Sequence, residues 1–143
     1  MPTLKHSEIT RYSAQQIFDL VADVASYPQF LPWCKGARIL KKESDTVFLV
    51  ELIIGFKGLT ERYSSRVTLA PNDTIKAEMV DGPFHHLIND WRFIEKAEGC
   101  QIELELDFQF KSKLLEGMIG GLFSKASEKM VSAFRARARE LYA

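Results

Sequence analysis

The two cysteines and three histidines are the residues of this sequence best suited to nucleophilic or metal chemistry, and their spacing supports neither. Cys34 and Cys100 form no C-x-x-C pair and match no zinc-ligand spacing, and no base lies near Cys34 in the sequence to activate its thiol. His85 and His86 are adjacent, so on an extended segment they point to opposite sides and cannot easily share a metal ion. We therefore expect two unreactive thiols in a reducing compartment, with a single Cys34–Cys100 disulfide as the alternative.

Acidic residues near the end of the chain could form a general acid/base group. Glu103, Glu105 and Asp107 alternate strictly with apolar residues, which places them on the wet face of a strand and away from any pocket behind it. The sequence also has no Walker loop, no dinucleotide-binding glycine motif, no H-E-x-x-H and no G-x-S-x-G. These features predict a protein that is not an enzyme and that binds no metal.

Composition and charge fit a single domain spanning residues 1–143. The chain has 19 basic and 19 acidic side chains, so its formal net charge is zero, whereas nucleic-acid-binding proteins usually have a basic excess. Arg135, Arg137 and Arg139 are interpreted as solvated cations that complement the dipole of a C-terminal helix, and no direct DNA binding is expected. No apolar run is long enough for a signal peptide or a membrane span, which favours a cytoplasmic location.

Alternating polar and apolar residues, interrupted by turn signals, predict seven strands. Their predicted ranges are 4–10, 37–42, 46–56, 59–69, 75–80, 87–95 and 102–110. The last six follow one another through short turns, which favours antiparallel pairing.

Helical spacing of apolar residues predicts one helix near each end of the chain. A capping box formed by Ser13 and Gln16 precedes a helix over 14–25, and Pro28 is expected to stop it. The other helix, over 113–142, would be roughly 40 Å long, and its glycine-rich first turns predict a mobile or kinked end. Together the elements predict an α+β fold in which an antiparallel sheet curls around the long helix.

The fourth predicted strand has polar side chains on the face that should point inward. Its even positions are all polar and must face water, so Glu61, Tyr63 and Ser65 lie on the inner face. By the same reasoning, Asn89 lies beside Trp91 on the inner face of the sixth strand. An unpaired polar group in a solid core costs roughly 1–3 kcal/mol, so this pattern favours a cavity that holds water or a ligand, and a β-bulge that reverses the alternation is the alternative.

The most unusual segment of the sequence is Tyr27-Pro28-Gln29-Phe30-Leu31-Pro32-Trp33-Cys34, in which two prolines bracket apolar bulk. Further segments of note are Asp81-Gly82-Pro83-Phe84 with Trp91 and Phe93, Phe108-x-Phe110-x-Ser112-x-Leu114-Leu115, and Met130-Val131-x-Ala133-Phe134-x-x-Arg137-Ala138. In this order, over nearly the whole chain, they resemble the coenzyme Q-binding protein family. That family belongs to the START-like, polyketide cyclase-related superfamily and includes the bacterial ribosome association toxin proteins.

The resemblance implies a helix-grip fold, in which a curved antiparallel sheet wraps the C-terminal helix around a lipid-sized cavity. It implies non-enzymatic binding of ubiquinone or a similar isoprenoid lipid in support of respiration, with ubiquinone as bound ligand and no cofactor. Transient contact with the surface of the inner membrane and contact with the ribosome are further implied partners. The rival functions are inhibition of ribosomal subunit association and, in third place, polyketide cyclase-like catalysis. Eukaryotic members carry a mitochondrial targeting segment, and the lack of one in this sequence fits a bacterial member.

Ligand contacts are expected from the inner strand faces, from the segment around Pro32 and from the apolar stripe of the last helix. The expected residues are Phe30, Leu31, Trp33, Tyr63, Ser65, Phe84, Asn89, Trp91, Phe93, Phe108, Phe110, Met118, Leu122, Phe123 and Met130. The segments 30–33 and 114–123 are also expected to gate the cavity or to touch a membrane.

Overall fold

The computed structural model describes residues 3–56 and 59–142, apart from the side chains of Phe56, Leu59, Ile119 and Leu122. Its elements in chain order are β1 (Thr3–Thr10), α1 (Ala14–Ala22), a 3₁₀ segment (Val24–Gln29), β2 (Cys34–Lys42), β3 (Val47–Phe56), β4 (Leu59–Ala70), β5 (Thr74–Asp81), β6 (Phe84–Lys96), β7 (Gly99–Phe110), α2 (Lys113–Glu128) and α3 (Met130–Tyr142). All seven predicted strands are present, with ends no more than three residues from the predicted ones.

The strands form one antiparallel sheet with the order β1-β7-β6-β5-β4-β3-β2. The segment containing α1 carries the chain from one edge of the sheet to the other, and each later strand pairs with the one before it until β7 meets β1. Neighbouring strands lie about 4.8 Å apart, so a flat sheet of seven strands would be about 30 Å wide. Side chains from β2 to β7 nevertheless line one internal cavity, which requires a strongly curved sheet. The predicted α+β helix-grip architecture is confirmed.

The first helix begins as predicted but ends early. Gln16 donates its backbone N–H to Ser13 Oγ at 3.1 Å, and Ser13 donates its own N–H to Gln16 Oε1 at 3.0 Å, which completes the capping box. The expectation that the helix would reach residue 25 is wrong, because Asp23 leaves helical geometry with ψ of 70°. The hydroxyl of Tyr27 donates to the Val21 carbonyl at the end of the helix, and Pro28 lies within the 3₁₀ segment that follows.

The C-terminal helix is two helices, which corrects the prediction of one. Lys129 separates α2 from α3, and its N–H is shared between the carbonyls of Lys125 at 3.3 Å and Ala126 at 3.2 Å. The glycine-rich turns of α2 remain helical, so the interruption lies after them rather than within them.

The two C-terminal helices differ in how deeply they are buried. α3 buries Val131, Phe134 and Ala138 almost completely, whereas α2 leaves Leu114 76% and Met118 53% exposed. The core contacts of this end of the fold are therefore made mainly by α3.

Phe134 of α3 is the centre of an aromatic cluster in the core and is 1% exposed. Its ring lies 5.3 Å from Tyr27, 5.1 Å from Phe30 and 5.2 Å from Trp91, each in an edge-to-face arrangement. Such pairs stabilise packing by roughly 0.5–1.5 kcal/mol beyond the area they bury. Phe134 thereby connects the 3₁₀ segment, the sheet and α3 at one point.

Candidate ligand-binding site

A cavity of about 110 Å³ lies between the inner face of the sheet and the helices that cover it. Strands β2 to β7 contribute to its floor, while Val21 of α1, Tyr27 of the 3₁₀ segment and Met130 of α3 contribute to its roof. The wall is mostly aliphatic and aromatic, as in sites that bind small apolar ligands. Its volume is below the ~300–1,000 Å³ of most ligand sites, so the wall must move to admit more than part of a lipid.

Nine of the residues expected to contact a ligand lie in the cavity wall: Leu31, Trp33, Tyr63, Ser65, Phe84, Asn89, Trp91, Phe123 and Met130. They come from the segment around Pro32, from β4 and β6, and from the C-terminal helices, so the fold brings them together from distant parts of the chain. Their contact with a ligand stays a prediction.

Two residues expected to contact a ligand, Phe30 and Met118, do not line the cavity. Phe30 packs against Phe134, and the Arg137 guanidinium carbon lies 5.3 Å from the centre of its ring. Met118 is on the exposed side of α2. Neither side chain lines the cavity, and contact of Phe30 or Met118 with a ligand stays a prediction.

Three more expected residues face inward but form a layer behind the wall. Phe93 packs edge-to-face on Phe18 of α1 at 5.9 Å. Phe108 and Phe110 pack on Phe123, at 4.7 and 5.7 Å between ring centres. Strand alternation identified their face correctly but not their position along the strand. The side chain of Leu122, also expected here, lies outside the described part of the structure.

Sixteen wall residues were missed as ligand contacts, nine of them on the strands and three of them, Ala126, Ser127 and Phe134, on the C-terminal helices beside the expected Phe123 and Met130. Phe123, Ala126, Ser127, Met130 and Phe134 lie on one side of the cavity although the helix is interrupted among them. Their spacing of three or four residues is the signal that could have found Ala126 and Ser127, because such positions share one helix face.

Besides Tyr27 of the 3₁₀ segment and Ser127 of α2, the wall contains four polar side chains on the sheet: Glu61, Tyr63 and Ser65 on β4, and Asn89 on β6. The three on β4 follow one another at two-residue steps of about 7 Å. The inward orientation predicted from strand alternation is thus confirmed, and the register between β3 and β4 is continuous through them.

These four side chains face apolar neighbours across the sheet. Tyr63 pairs in register with Leu52, and Asn89 lies between Ala77 and Leu106. Within residues 3–56 and 59–142, none of the four forms a side-chain hydrogen bond or an ion pair with another protein group. None of their side-chain nitrogen or oxygen atoms is among the fully buried, unpartnered atoms of the described residues either. They are therefore free to bind polar atoms of a ligand.

Burial keeps the two tyrosines of the wall in their neutral form. It raises the pKa of Tyr63 well above its ordinary value, so its hydroxyl stays protonated and able to donate. Burial likewise raises the pKa of Tyr27, whose hydroxyl already donates to the Val21 carbonyl. Of these two hydroxyls, Tyr63 is the one available to a ligand.

Cys34 also lies in the wall, and its thiol donates to the Gly36 carbonyl at 3.4 Å. Burial raises the pKa of Cys34, so little thiolate is present at neutral pH to act as a nucleophile. Cys100 is buried elsewhere in the core, where burial and the nearby Glu95 raise its pKa to about 11. Both cysteines are free thiols in the structure, which has no Cys34–Cys100 disulfide.

The acidic residues of β7 lie on the outer face of the sheet. Asp107 Oδ1 is 3.1 Å from His86 Nε2, and Glu103 is 3.6 Å from Arg92. They are remote from the cavity, as their alternation predicted. Within the part of the chain that the structure describes, no group of three or more His, Cys, Asp or Glu side chains could hold a metal ion.

Two of the C-terminal arginines make specific contacts, which corrects their interpretation as purely solvated cations. Arg135 pairs with Glu8 of β1 at 3.2 Å, and Arg137 donates to Gln29 Oε1 at 2.7 Å. They fasten α3 to β1 and to the 3₁₀ segment. None of the helices within the described ranges combines the length and apolar character needed to cross a membrane.

Residues 10–135 match the family described as polyketide cyclase / dehydrase and lipid transport. The match spans every residue of the cavity wall. The chain belongs to this family, and the START-like resemblance drawn from its sequence is confirmed.

Two relatives with different names match almost the whole chain. The ribosome association toxin RatA of Rickettsia prowazekii is 41% identical over 145 residues, which cover 99% of each protein. The mitochondrial coenzyme Q-binding protein COQ10 homolog B of Xenopus laevis is 33% identical over 141 residues, covering 95% of this chain and 57% of that protein. The chain is thus similar to a protein named for ribosome association and to one named for coenzyme Q binding.

The solved structures include an enzyme with the same fold. The Zhui aromatase/cyclase from Streptomyces sp. R1128 superposes with a TM-score of 0.88, covering 99% of this chain and 96% of that one. The two sequences are 18% identical, so this similarity concerns the fold and not the activity.

Proposed function

We propose that the cavity binds the headgroup of an isoprenoid quinone such as ubiquinone, without catalysing a reaction on it. The observation that carries the proposal is the set of polar side chains on β4 and β6, without partners among the described residues, within a mostly apolar wall. A quinone headgroup is a flat ring with oxygen acceptors, and the Tyr63 hydroxyl and the Asn89 amide are suitable donors. Similarity to the COQ10 homolog supports the same class of ligand.

The volume of the cavity limits how the ligand can bind. A dry protein cavity of about 150 Å³ holds one benzene molecule, so the present 110 Å³ is too small for a substituted ring with its tail. The wall must therefore open, and the isoprenoid tail must leave the cavity. α2 is the element best suited to move, because its outer side is exposed and its glycines weaken the helix by roughly 1 kcal/mol each.

The side chains of the wall favour binding over catalysis. Among the described residues that line the cavity there is no histidine, lysine or arginine, and the Cys34 thiol is held protonated. Acid and base catalysis requires titratable groups placed to exchange protons with the reacting atoms, and Glu61 has no such partner in the wall. The protein is therefore proposed to hold the quinone unchanged.

Contact with a membrane surface would supply the ligand. Leu114 and Met118 lie one helical turn apart and are both exposed on α2, between Lys111 and Lys113 on one side and Lys125 on the other. Apolar side chains next to lysines suit the interface of an anionic bilayer. In flotation with anionic lipid vesicles, Leu114→Ser is expected to weaken vesicle binding several-fold. Val80→Ser, at an exposed position of β5, is the control and should leave vesicle binding unchanged. Equal effects of the two substitutions would argue against this surface.

Lipid extraction and titration test the ligand. Mass spectrometry of a solvent extract of the purified protein is expected to show a quinone or a related isoprenoid lipid. Both tryptophans of the chain, Trp33 and Trp91, line the cavity, so a short-tailed ubiquinone should quench their fluorescence in a saturable way. A protein that yields no lipid and shows no saturable quenching does not bind quinones.

A second candidate function is regulation of ribosomal subunit association. The specific observation in its favour is the 41% identity to RatA over 99% of both proteins. The test is sedimentation of purified bacterial subunits under conditions that form whole ribosomes, with increasing amounts of the protein. A dose-dependent loss of whole ribosomes supports this function, and unchanged sedimentation at saturating protein excludes it. The quinone titration is independent of this outcome.

A further inference from the structure

We propose that the cavity binds the reduced quinol form of its ligand more tightly than the quinone, and that Glu61 sets this preference. The inference rests on the proposed function, because it concerns the redox state of the same ligand. The observation behind it is a carboxylate in the cavity wall, on the same strand face as the Tyr63 hydroxyl.

The four polar side chains that β4 and β6 contribute to the wall differ in the hydrogen bonds they can form. The hydroxyls of Tyr63 and Ser65 and the amide of Asn89 can each donate or accept a hydrogen bond, whereas an ionised Glu61 can only accept. The ring oxygens of a quinone also only accept, so a quinone presents lone pairs to the Glu61 carboxylate. A quinol carries two hydroxyl groups, and one of them can donate to Glu61 while the other binds the remaining polar groups.

Position allows one ring to reach both kinds of group. Glu61 and Tyr63 are successive inward residues of β4, about 7 Å apart along the strand. Glu61 lies opposite Ile54 of β3, which in turn pairs with Cys34. The carboxylate is therefore at the end of the cavity near Trp33, whereas Ser65 and Asn89 lie deeper along the sheet.

No cation within the described residues neutralises Glu61 from inside the cavity. The neighbouring arginines of β4 lie on the outer face of the sheet, where Arg62 is 3.9 Å from Glu51 and Arg66 is 2.7 Å from Glu43. The described residues that line the cavity include no lysine, arginine or histidine. Among the described residues, the Glu61 carboxyl group thus has no ion-pair partner and is available to a donor on the ligand.

The expected preference is about tenfold or more, since hydrogen bonds to charged groups are stronger than neutral ones. A tenfold difference in affinity between the two forms raises the apparent midpoint potential of a two-electron couple by about 30 mV. The protein would therefore stabilise its ligand in the reduced state.

The experiment is an anaerobic spectroelectrochemical titration of a short-tailed ubiquinone, with and without excess protein, supported by calorimetric titration of each redox form. The wild-type protein is expected to raise the midpoint potential by about 30 mV or more. Glu61→Gln keeps the shape of the side chain and adds a donor, so the shift should fall to near zero. Glu105→Gln, the same change on the outer face of β7, should leave the shift unchanged.

The possible results separate this inference from the function on which it rests. If both redox forms bind equally to the wild-type protein, quinol selection is wrong while quinone binding stands. If the shift persists in Glu61→Gln, selection exists but another group causes it. If neither form binds in the calorimeter, the proposed function itself fails, and the inference fails with it.

Discussion

Replacing Tyr63 with phenylalanine should separate ligand recognition from folding. The change removes one hydroxyl group and keeps the aromatic ring in the cavity wall. Among the described residues, this hydroxyl has no protein partner. Tyr27→Phe is the matched control, because it removes a hydroxyl from the same wall that does have a partner, the Val21 carbonyl.

The expected changes in stability follow from the surroundings of the two tyrosine hydroxyls. Loss of the Tyr63 hydroxyl breaks no protein hydrogen bond, so the free energy of unfolding should change by less than about 0.5 kcal/mol. Loss of the Tyr27 hydroxyl leaves a carbonyl at the end of α1 without its donor, which costs roughly 1–3 kcal/mol. For a chain of this size each kcal/mol lowers Tm by about 4 °C.

Ligand affinity should show the opposite order. A neutral hydrogen bond contributes roughly 0.5–1.5 kcal/mol, so Tyr63→Phe should lower the affinity for a short-tailed ubiquinone by about two- to tenfold. Tyr27→Phe should leave the affinity nearly unchanged once the protein is folded. A hydrocarbon lipid of the same length should bind both variants and the wild type equally.

Urea unfolding gives the stability of each variant, and calorimetric titration gives its affinity. The reasoning is refuted if Tyr63→Phe costs more than about 1 kcal/mol of stability while quinone affinity is unaffected. It is also refuted if Tyr63→Phe lowers the affinities for quinone and for hydrocarbon lipid to the same extent, because recognition would then rest on shape and apolar contact alone.

Three further predictions concern the wall, the first helix and the thiols. Leu31 is 3% exposed and lines the cavity. Leu31→Ala should therefore lower the free energy of unfolding by about 2 kcal/mol, which is the low end of the range for a buried leucine. Urea unfolding measures this change, and a negligible loss would mean that Leu31 is a mobile gate and not part of the core. Ser13→Ala should cost about 1 kcal/mol by removing one half of the capping box, and a loss of Tm below about 1 °C would contradict the cap. Cys100, with its pKa raised to about 11 by burial, should resist iodoacetamide at pH 8 in the folded protein and react only when pH or denaturant is raised, whereas saturating quinone should slow any labelling of Cys34; rapid labelling of native Cys100 in a mass spectrum would disprove its burial.

The sequence by itself determined the local features of the protein. Two-residue alternation identified all seven strands and placed Glu61, Tyr63 and Ser65 on an inner face, because successive side chains of a strand must point to opposite sides. The pair Ser13 and Gln16 identified the start of α1, because their hydrogen bonds depend only on residues three apart.

Helix ends were less accessible to sequence reasoning. α1 stops at Ala22 because Asp23 leaves helical geometry and the Tyr27 hydroxyl reaches back to the Val21 carbonyl. The interruption at Lys129 follows no proline or glycine at that position. The Tyr27–Val21 contact forms only when the 3₁₀ segment packs against α1, and no contact among the described residues accounts for the interruption at Lys129.

Only the tertiary structure decided which inward residues share the cavity. Phe93 and Phe108 lie on the inner face of the sheet, as Trp91 does, but only Trp91 lines the cavity. Phe93 packs on Phe18, and Phe108 packs on Phe123. Alternation reports the face of a strand, whereas the cavity depends on how strongly the whole sheet curves and how closely α1 and α3 approach it. That balance sums many packing contacts between residues distant in sequence, so no local pattern contains the cavity's volume or its boundary.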